Sequence, residues 1–178
     1  MREKILEYLD TSIKCIENLK KQVQKIEKIA KIIQATKKKG KKIFLFGNGG
    51  SASTSSHLVC DFAKFKNLKA IALTSEIPLI TAWSNDESYD VIFKEQLKNL
   101  MQKGDVVIGI SGSGKSKNVL EAIKYANENG AYTIGLAGFD GGELKKIAKE
   151  CLVVEIDSMQ HSEDMHLLVG HLIAVLLE

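Results

Sequence analysis

Apolar positions in the first 38 residues recur at helical intervals, whereas from Lys41 onward they gather into short solid runs separated by glycines and by helix-length stretches. Ile5, Leu9, Ile13, Ile16, Val23, Ile26 and Ile33 follow one another at steps of three, four or seven, which lays one apolar stripe along a helix from about Glu3 to about Lys38. Globular helices average about 11 to 12 residues, so one this long is expected to kink or split. Its stripe exceeds what one domain covers, and part of it is expected to meet another copy of the chain. The run Lys37-Lys38-Lys39-Gly40-Lys41-Lys42 falls where the helix stops. There its cations complement the helix dipole, and it reads as a solvated helix end rather than a nucleic-acid surface.

Five apolar runs follow: one opening at Lys41 and breaking at Gly47, then Lys69 to Leu73, Asp105 to Ile110, Tyr132 to Leu136, and Leu152 to Ile156. None sustains alternation, the pattern of strands covered on both faces, which predicts a parallel sheet. Helical segments are expected after the opening run and over Tyr89–Leu100, Lys117–Asn129, Glu143–Lys149 and Glu163–Leu177, punctuated by Gly104, Gly130 and Gly141-Gly142. Pro78 falls between the second strand and the next helix. Repeated βα alternation predicts an α/β fold, a doubly wound three-layer αβα sandwich. With 178 residues, 44% hydrophobic and 26% charged, the chain fits a single domain.

The loop Gly47-Asn48-Gly49-Gly50-Ser51 is nearly bare of side chains and opens a helix, so a ligand anion or hydroxyl can approach its N–H groups. One turn further on, His57 and Asp61 share a helix face at i, i+4, a pairing able to hold a divalent metal. The second such loop, Ser111-Gly112-Ser113-Gly114-Lys115-Ser116, follows the third strand. Its hydroxyls, glycines and helix N-terminus make a phosphate cradle, the plainer alternative being a Ser/Gly turn with an N-cap. Both loops lie at strand carboxyl ends and should face one crevice. Neither the Walker nor the dinucleotide glycine spacing is present, which disfavours nucleotides. Lys and Arg number 25 against 22 acidic residues, too balanced for a nucleic-acid or membrane surface. No apolar run is long enough for a bilayer, and MREKILEYLD is unlike a secretory signal, so a cytoplasmic protein is expected. Cys15, Cys60 and Cys151 read as reduced, buried thiols.

With GNGGSASTSSH, SGSGKS and EDMHLLVGH together, the chain resembles the SIS (sugar isomerase) domain family and within it the phosphoheptose isomerases. The likeness runs from the N-terminal helix to Glu178 and takes in IALTSEIPLITAWSND and GLAGFDGGEL. It implies a flavodoxin-like five-stranded parallel sheet and a homotetramer with active sites at subunit interfaces, residues 1–38 serving the assembly. The implied cofactor is zinc, held by His57, Asp61, Glu163 and His171, with Asp61 and His171 also the acid–base pair. Asn48, Gly49, Gly50, Ser51, Asp61, Asn85, Asp86, Ser111, Gly112, Ser113, Ser116 and Glu163 would bind the phosphorylated sugar. The implied reaction converts sedoheptulose 7-phosphate to D-glycero-D-manno-heptose 7-phosphate through an enediol, opening nucleotide-activated heptose synthesis for surface polysaccharide. Isomerisation of another sugar phosphate, or sugar-phosphate binding without catalysis, are the alternatives; the four ligands together favour an enzyme.

The chain departs from that family at several points. Asp61 stands where glutamate is usual and Glu163 where glutamine is usual, giving a site with one more negative charge and less reach on one side. The segment after Asp61 is short, with Lys64 in place of an arginine, and a lysine does not give bidentate recognition. Met159-Gln160-His161-Ser162 also differs. On one helix Glu163 and His171 are about 12 Å apart along the axis. His166 lies on another face and reads as a packing or interface residue. His161, ahead of that helix, reads as solvated.

Overall fold

The structure, a computed structural model, describes residues 1–177. Two helices open the chain, α1 (Arg2–Lys20) and α2 (Val23–Lys38). β1 (Lys42–Gly47) leads into α3 (Gly50–Cys60), which ends in a π-helical turn (Asp61–Phe65). Then come β2 (Lys69–Ala72), α4 (Ile77–Asp86), a 3-10 turn (Tyr89–Val91) running into α5 (Ile92–Leu100), and β3 (Val106–Ser111). The chain closes with α6 (Lys117–Glu128), β4 (Tyr132–Gly138), α7 (Leu144–Ile147), β5 (Glu150–Val154) and α8 (Met159–Leu176).

The strands form one five-stranded sheet in the order β2-β1-β3-β4-β5, each neighbouring pair parallel. Successive strand residues feed opposite cores, so neither face shows a polar alternate. Ile43, Leu45, Ile108, Ile110, Ile134 and Leu136 meet Ile29, Ile33, Leu58, Val169 and Ile173 of α2, α3 and α8. Phe44, Phe46, Val107 and Val153 meet Phe93, Leu97, Val119, Ile123 and Leu144 of α5, α6 and α7. This is the expected three-layer αβα sandwich. Strand order reverses between β1 and β3, and their carboxyl ends open the crevice where such sheets bind ligands.

The long N-terminal helix is split at Lys21-Gln22. Gln22 Nε2 donates to the Val153 carbonyl at 2.8 Å and Lys25 Nζ to that of Cys151 at 2.8 Å, pinning the bend to β5. The two halves of the stripe meet different fates. α2 buries Ile26, Ile29, Ala30 and Ile33, whereas α1 buries only Cys15 and Leu19 and leaves Ile5, Leu9 and Ile13 more than half exposed.

Three expectations are corrected. Cys60 is exposed, because it closes α3 on the solvent side, while Cys15 and Cys151 are buried. α8 begins at Met159 rather than Glu163, capped by Ser158, so His161 lies inside it. His161 is buried rather than solvated, since the Tyr8 ring stacks on it at 4.0 Å, its Nε2 lies 3.1 Å from the Tyr8 carbonyl, and Tyr8 Oη donates to Asp164 at 2.5 Å. A further helix, α4, forms between the second strand and the helix expected from Tyr89, with Pro78 in its first turn.

Candidate active site

The π-helical turn that ends α3 carries Asp61 and is anchored by buried Phe62. A single π turn widens the helix locally, and such turns recur at functional sites. One helical turn earlier stands His57, and across from it α8 presents His171. These two helices approach so closely that a Cβ on Gly170 would overlap the Leu58 side chain, and their ligands face each other beside that contact. The His57 and His171 Nε2 atoms are 2.8 Å apart, and each is 3.5 Å from Asp61 Oδ2. Tetrahedral ligands about 2.0 to 2.1 Å from an ion lie about 3.3 Å from one another, so the triangle has the dimensions of three coordination positions. The two imidazole nitrogens share one proton at most, and with a carboxylate they form a donor set able to hold a divalent metal ion. The imidazoles are about half exposed and the Asp61 side chain 16% exposed, which leaves an open side for a reacting ligand.

At the other end of α3 and α8 is a cavity of about 260 Å³, lined by Asn48, Gly49, Gly50, Ser51, the Ser111–Ser113 segment, Ser116, Met159 and Glu163. It occupies the β1/β3 switch point, with α3 and α6 starting at its rim. Ser111 Oγ and Ser116 Oγ are 3.0 Å apart. Asn48 is fixed by reciprocal bonds with Asn118 at 3.0 and 2.9 Å and by the Tyr89 hydroxyl at 2.9 Å. Among the described lining residues the only charge is Glu163, so an anion there depends on N–H and O–H donors and helix ends.

Of the residues singled out in the sequence, His57, Asp61 and His171 converge within one chain. Glu163 does not join them; its carboxylate lies over Gly50, where a Cβ would overlap it. Asn48, Gly49, Gly50, Ser51, Ser111, Gly112, Ser113, Ser116 and Glu163 all line the cavity. Asn85 and Asp86 do not; they end α4, hydrogen-bonded to each other at 2.8 Å. Asn118, Tyr89 and the lining residue Met159 were given no role from sequence. Asn118 lies in the first turn of α6, two residues past the second loop, but nothing local marks its pairing with Asn48, 70 residues away. His166 is a packing residue, fully buried against β4, and burial pushes its imidazole down to about 4.

A parallel 2-1-3-4-5 sheet with glycine and serine loops at its switch point, and a His/Asp/His cluster between the first and last crossing helices, defines a class. The SIS domain model matches residues 7–138, and the chain belongs to the SIS domain family. It is 42% identical over 177 residues to a probable phosphoheptose isomerase of Thermoplasma acidophilum, covering 97% of this chain and 96% of the relative. Two solved structures superpose over 98% of this chain and 96% of theirs. They are the phosphoheptose isomerase GmhA of Neisseria gonorrhoeae, at 32% identity and a TM-score of 0.91, and a phosphoheptose isomerase of Francisella tularensis, at 29% and 0.93. Within the family the chain is an isomerase, similar to these relatives over nearly its whole length.

Proposed function

We propose that the protein interconverts sedoheptulose 7-phosphate and D-glycero-D-manno-heptose 7-phosphate, at the start of heptose activation for surface polysaccharide. One observation carries this reading: the His57, Asp61 and His171 cluster and the serine-lined cavity lie at opposite ends of the same two helices. From Ser51 to His57 is about 9 Å along α3, and from Glu163 to His171 about 12 Å along α8. That spacing suits a long sugar chain with its phosphate in the cavity and its carbonyl end at the cluster.

Zinc held by His57, Asp61 and His171 would supply Lewis-acid polarisation of the carbonyl and hydroxyl oxygens. Asp61 and His171 form the acid–base pair. One takes the proton from the hydroxymethyl carbon next to the ketone, and the freed electron pair makes the carbon–carbon double bond as the carbonyl oxygen is protonated to give the enediol. A proton returned to the neighbouring carbon, with loss of the proton on the hydroxymethyl oxygen, yields the aldose. Ser111, Ser113 and Ser116 hold the phosphate through hydroxyl and backbone donors, and that remote binding orients the reacting end. Asn48, locked by Asn118 and Tyr89, presents its amide at the cavity wall. Glu163 enters the metal shell only by leaving Gly50.

The same reading makes the protein a cytoplasmic homotetramer, with the exposed stripe of α1 covered by another copy. The full chain, purified, is assayed with sedoheptulose 7-phosphate before chelation, after it, and with zinc restored. Turnover is expected to fall on chelation and to return at about one zinc per chain. Full turnover in metal-free protein overturns the metal role, and no turnover by the zinc-loaded protein overturns the substrate.

A further inference from the structure

The cradle loop has little of its own to hold its shape. Inside it the Gly114 N–H donates to the Ser111 carbonyl at 2.9 Å, the Lys115 N–H donates to Ser113 Oγ at 3.2 Å, and the Ser111 and Ser116 hydroxyls meet at 3.0 Å. The last two use the hydroxyls that an anion would recruit, so they weaken when a ligand arrives. Beyond the Gly114–Ser111 backbone bond, support that persists has to come from outside the loop.

It comes from the connection between β4 and α7. The Gly138 N–H donates to the Gly112 carbonyl at 2.7 Å and the Leu144 N–H to the Gly114 carbonyl at 3.0 Å. Between these two latches the backbones touch without intervening side chains. A Cβ on Gly142 would stand 2.7 Å from the carbonyl oxygens of Ser113 and Gly114, and Gly142 has φ +52, a conformation that disfavours any other residue. Asp140 holds the turn itself, its Oδ1 accepting the Gly142 N–H at 3.0 Å. That bond and the nearby Lys115 ammonium keep the Asp140 carboxyl below the usual carboxylate range. Lys115, the one cation of the cradle loop, lines a separate cleft with Asp140 and Lys145 and not the cradle.

We propose that Asp140, Gly142 and the Leu144 amide are positioning groups for the phosphate cradle: they hold residues 111–116 in the anion-binding shape without touching the ligand. This rests on the reading of that loop as the phosphate site. The turn acts as a backstop, and Asp140 acts through Gly142.

The full-length, zinc-loaded protein and its variants are titrated calorimetrically with inorganic phosphate, and KM, kcat and zinc content are measured with sedoheptulose 7-phosphate. Asp140→Ala, which removes the acceptor from an exposed residue, is expected to weaken phosphate binding and raise KM by about tenfold, with kcat and zinc content little changed. Asp140→Asn keeps an oxygen acceptor and is expected to stay within about threefold of the parent. Gly142→Ala should behave as Asp140→Ala or more severely; should it fail to fold, the Asp140 pair still decides. Phosphate binding left unchanged by Asp140→Ala, while Ser111→Ala weakens it, overturns the positioning role and leaves the cradle standing. No measurable phosphate binding by the parent, or equal binding by Ser111→Ala, removes the cradle and this role with it.

Discussion

His166 is fully buried between α8 and β4, and neither ring nitrogen has a hydrogen-bond partner among the described residues. Desolvation lowers its pKa from 6.5 to about 4, opposed in part by the backbone of Ala137. The folded state keeps the ring neutral while the unfolded chain protonates it in the ordinary range. Stability is therefore full above about pH 6.5 and lost as pH falls towards 4, because the unfolded state binds the extra proton. The 2.5-unit interval, at about 1.36 kcal/mol per unit, amounts to about 3 kcal/mol, of which about 2 is gone by pH 5. Replacing His166 by leucine removes the titration and the two unpartnered nitrogens together, so at pH 7 the variant should be within about 1 kcal/mol of the parent or above it. Urea unfolding of both proteins at pH 7.5, 6, 5 and 4.5 gives the comparison, since titrations common to both cancel in the difference. The variant should gain about 2 kcal/mol on the parent between pH 7.5 and pH 5. Parallel pH profiles would refute the argument and mean that the ring is solvated or partnered.

Ser111→Ala or Ser116→Ala removes one donor from the cradle and should raise KM for the phosphorylated sugar by about 5- to 150-fold, read by steady-state kinetics; unchanged KM in both counts against the loop. Ile13 and Ile16 are 58% and 37% exposed on α1. Changing both to lysine leaves the single chain folded but puts two charges into any interface made by that face, a desolvation penalty of several kcal/mol per ion. Light scattering should then report dissociation, whereas an intact oligomer would show that α1 is not its contact. Because His57, Asp61 and His171 meet within one chain, the dissociated variant should keep its zinc, as atomic absorption would show.

The sheet was legible in the sequence because β1, β3 and β4 are solid apolar runs whose both faces are covered. What went unread was decided far away along the chain. A kink or split is expected in so long a helix, but its position is not readable, since the apolar stripe crosses Lys21-Gln22 without interruption and the bend is held by the Val153 carbonyl on β5. α4 buries no residue, so it carries no core stripe to betray it. His161 is buried by Tyr8, 153 positions earlier. At the site, the i, i+4 spacing of His57 and Asp61 was readable locally, and the resemblance supplied His171. Helical arithmetic already kept Glu163 far from His171, and it lies at the cavity end, over Gly50.

The contact of Gly170 with Leu58 has a bearing on how such a centre survives mutation. The neighbours of these two residues, His171 and His57, are the ones that face each other, so the clearance between helices sets the span of the ligand triangle like the jaws of a calliper. A Cβ at position 170 would stand 2.2 Å from Leu58 Cδ2, so either the Leu58 side chain or the spacing of the two helices would have to give. A residue with no donor atom thereby bears on the geometry of the His57, Asp61 and His171 cluster, and a search for ligands alone would pass over it.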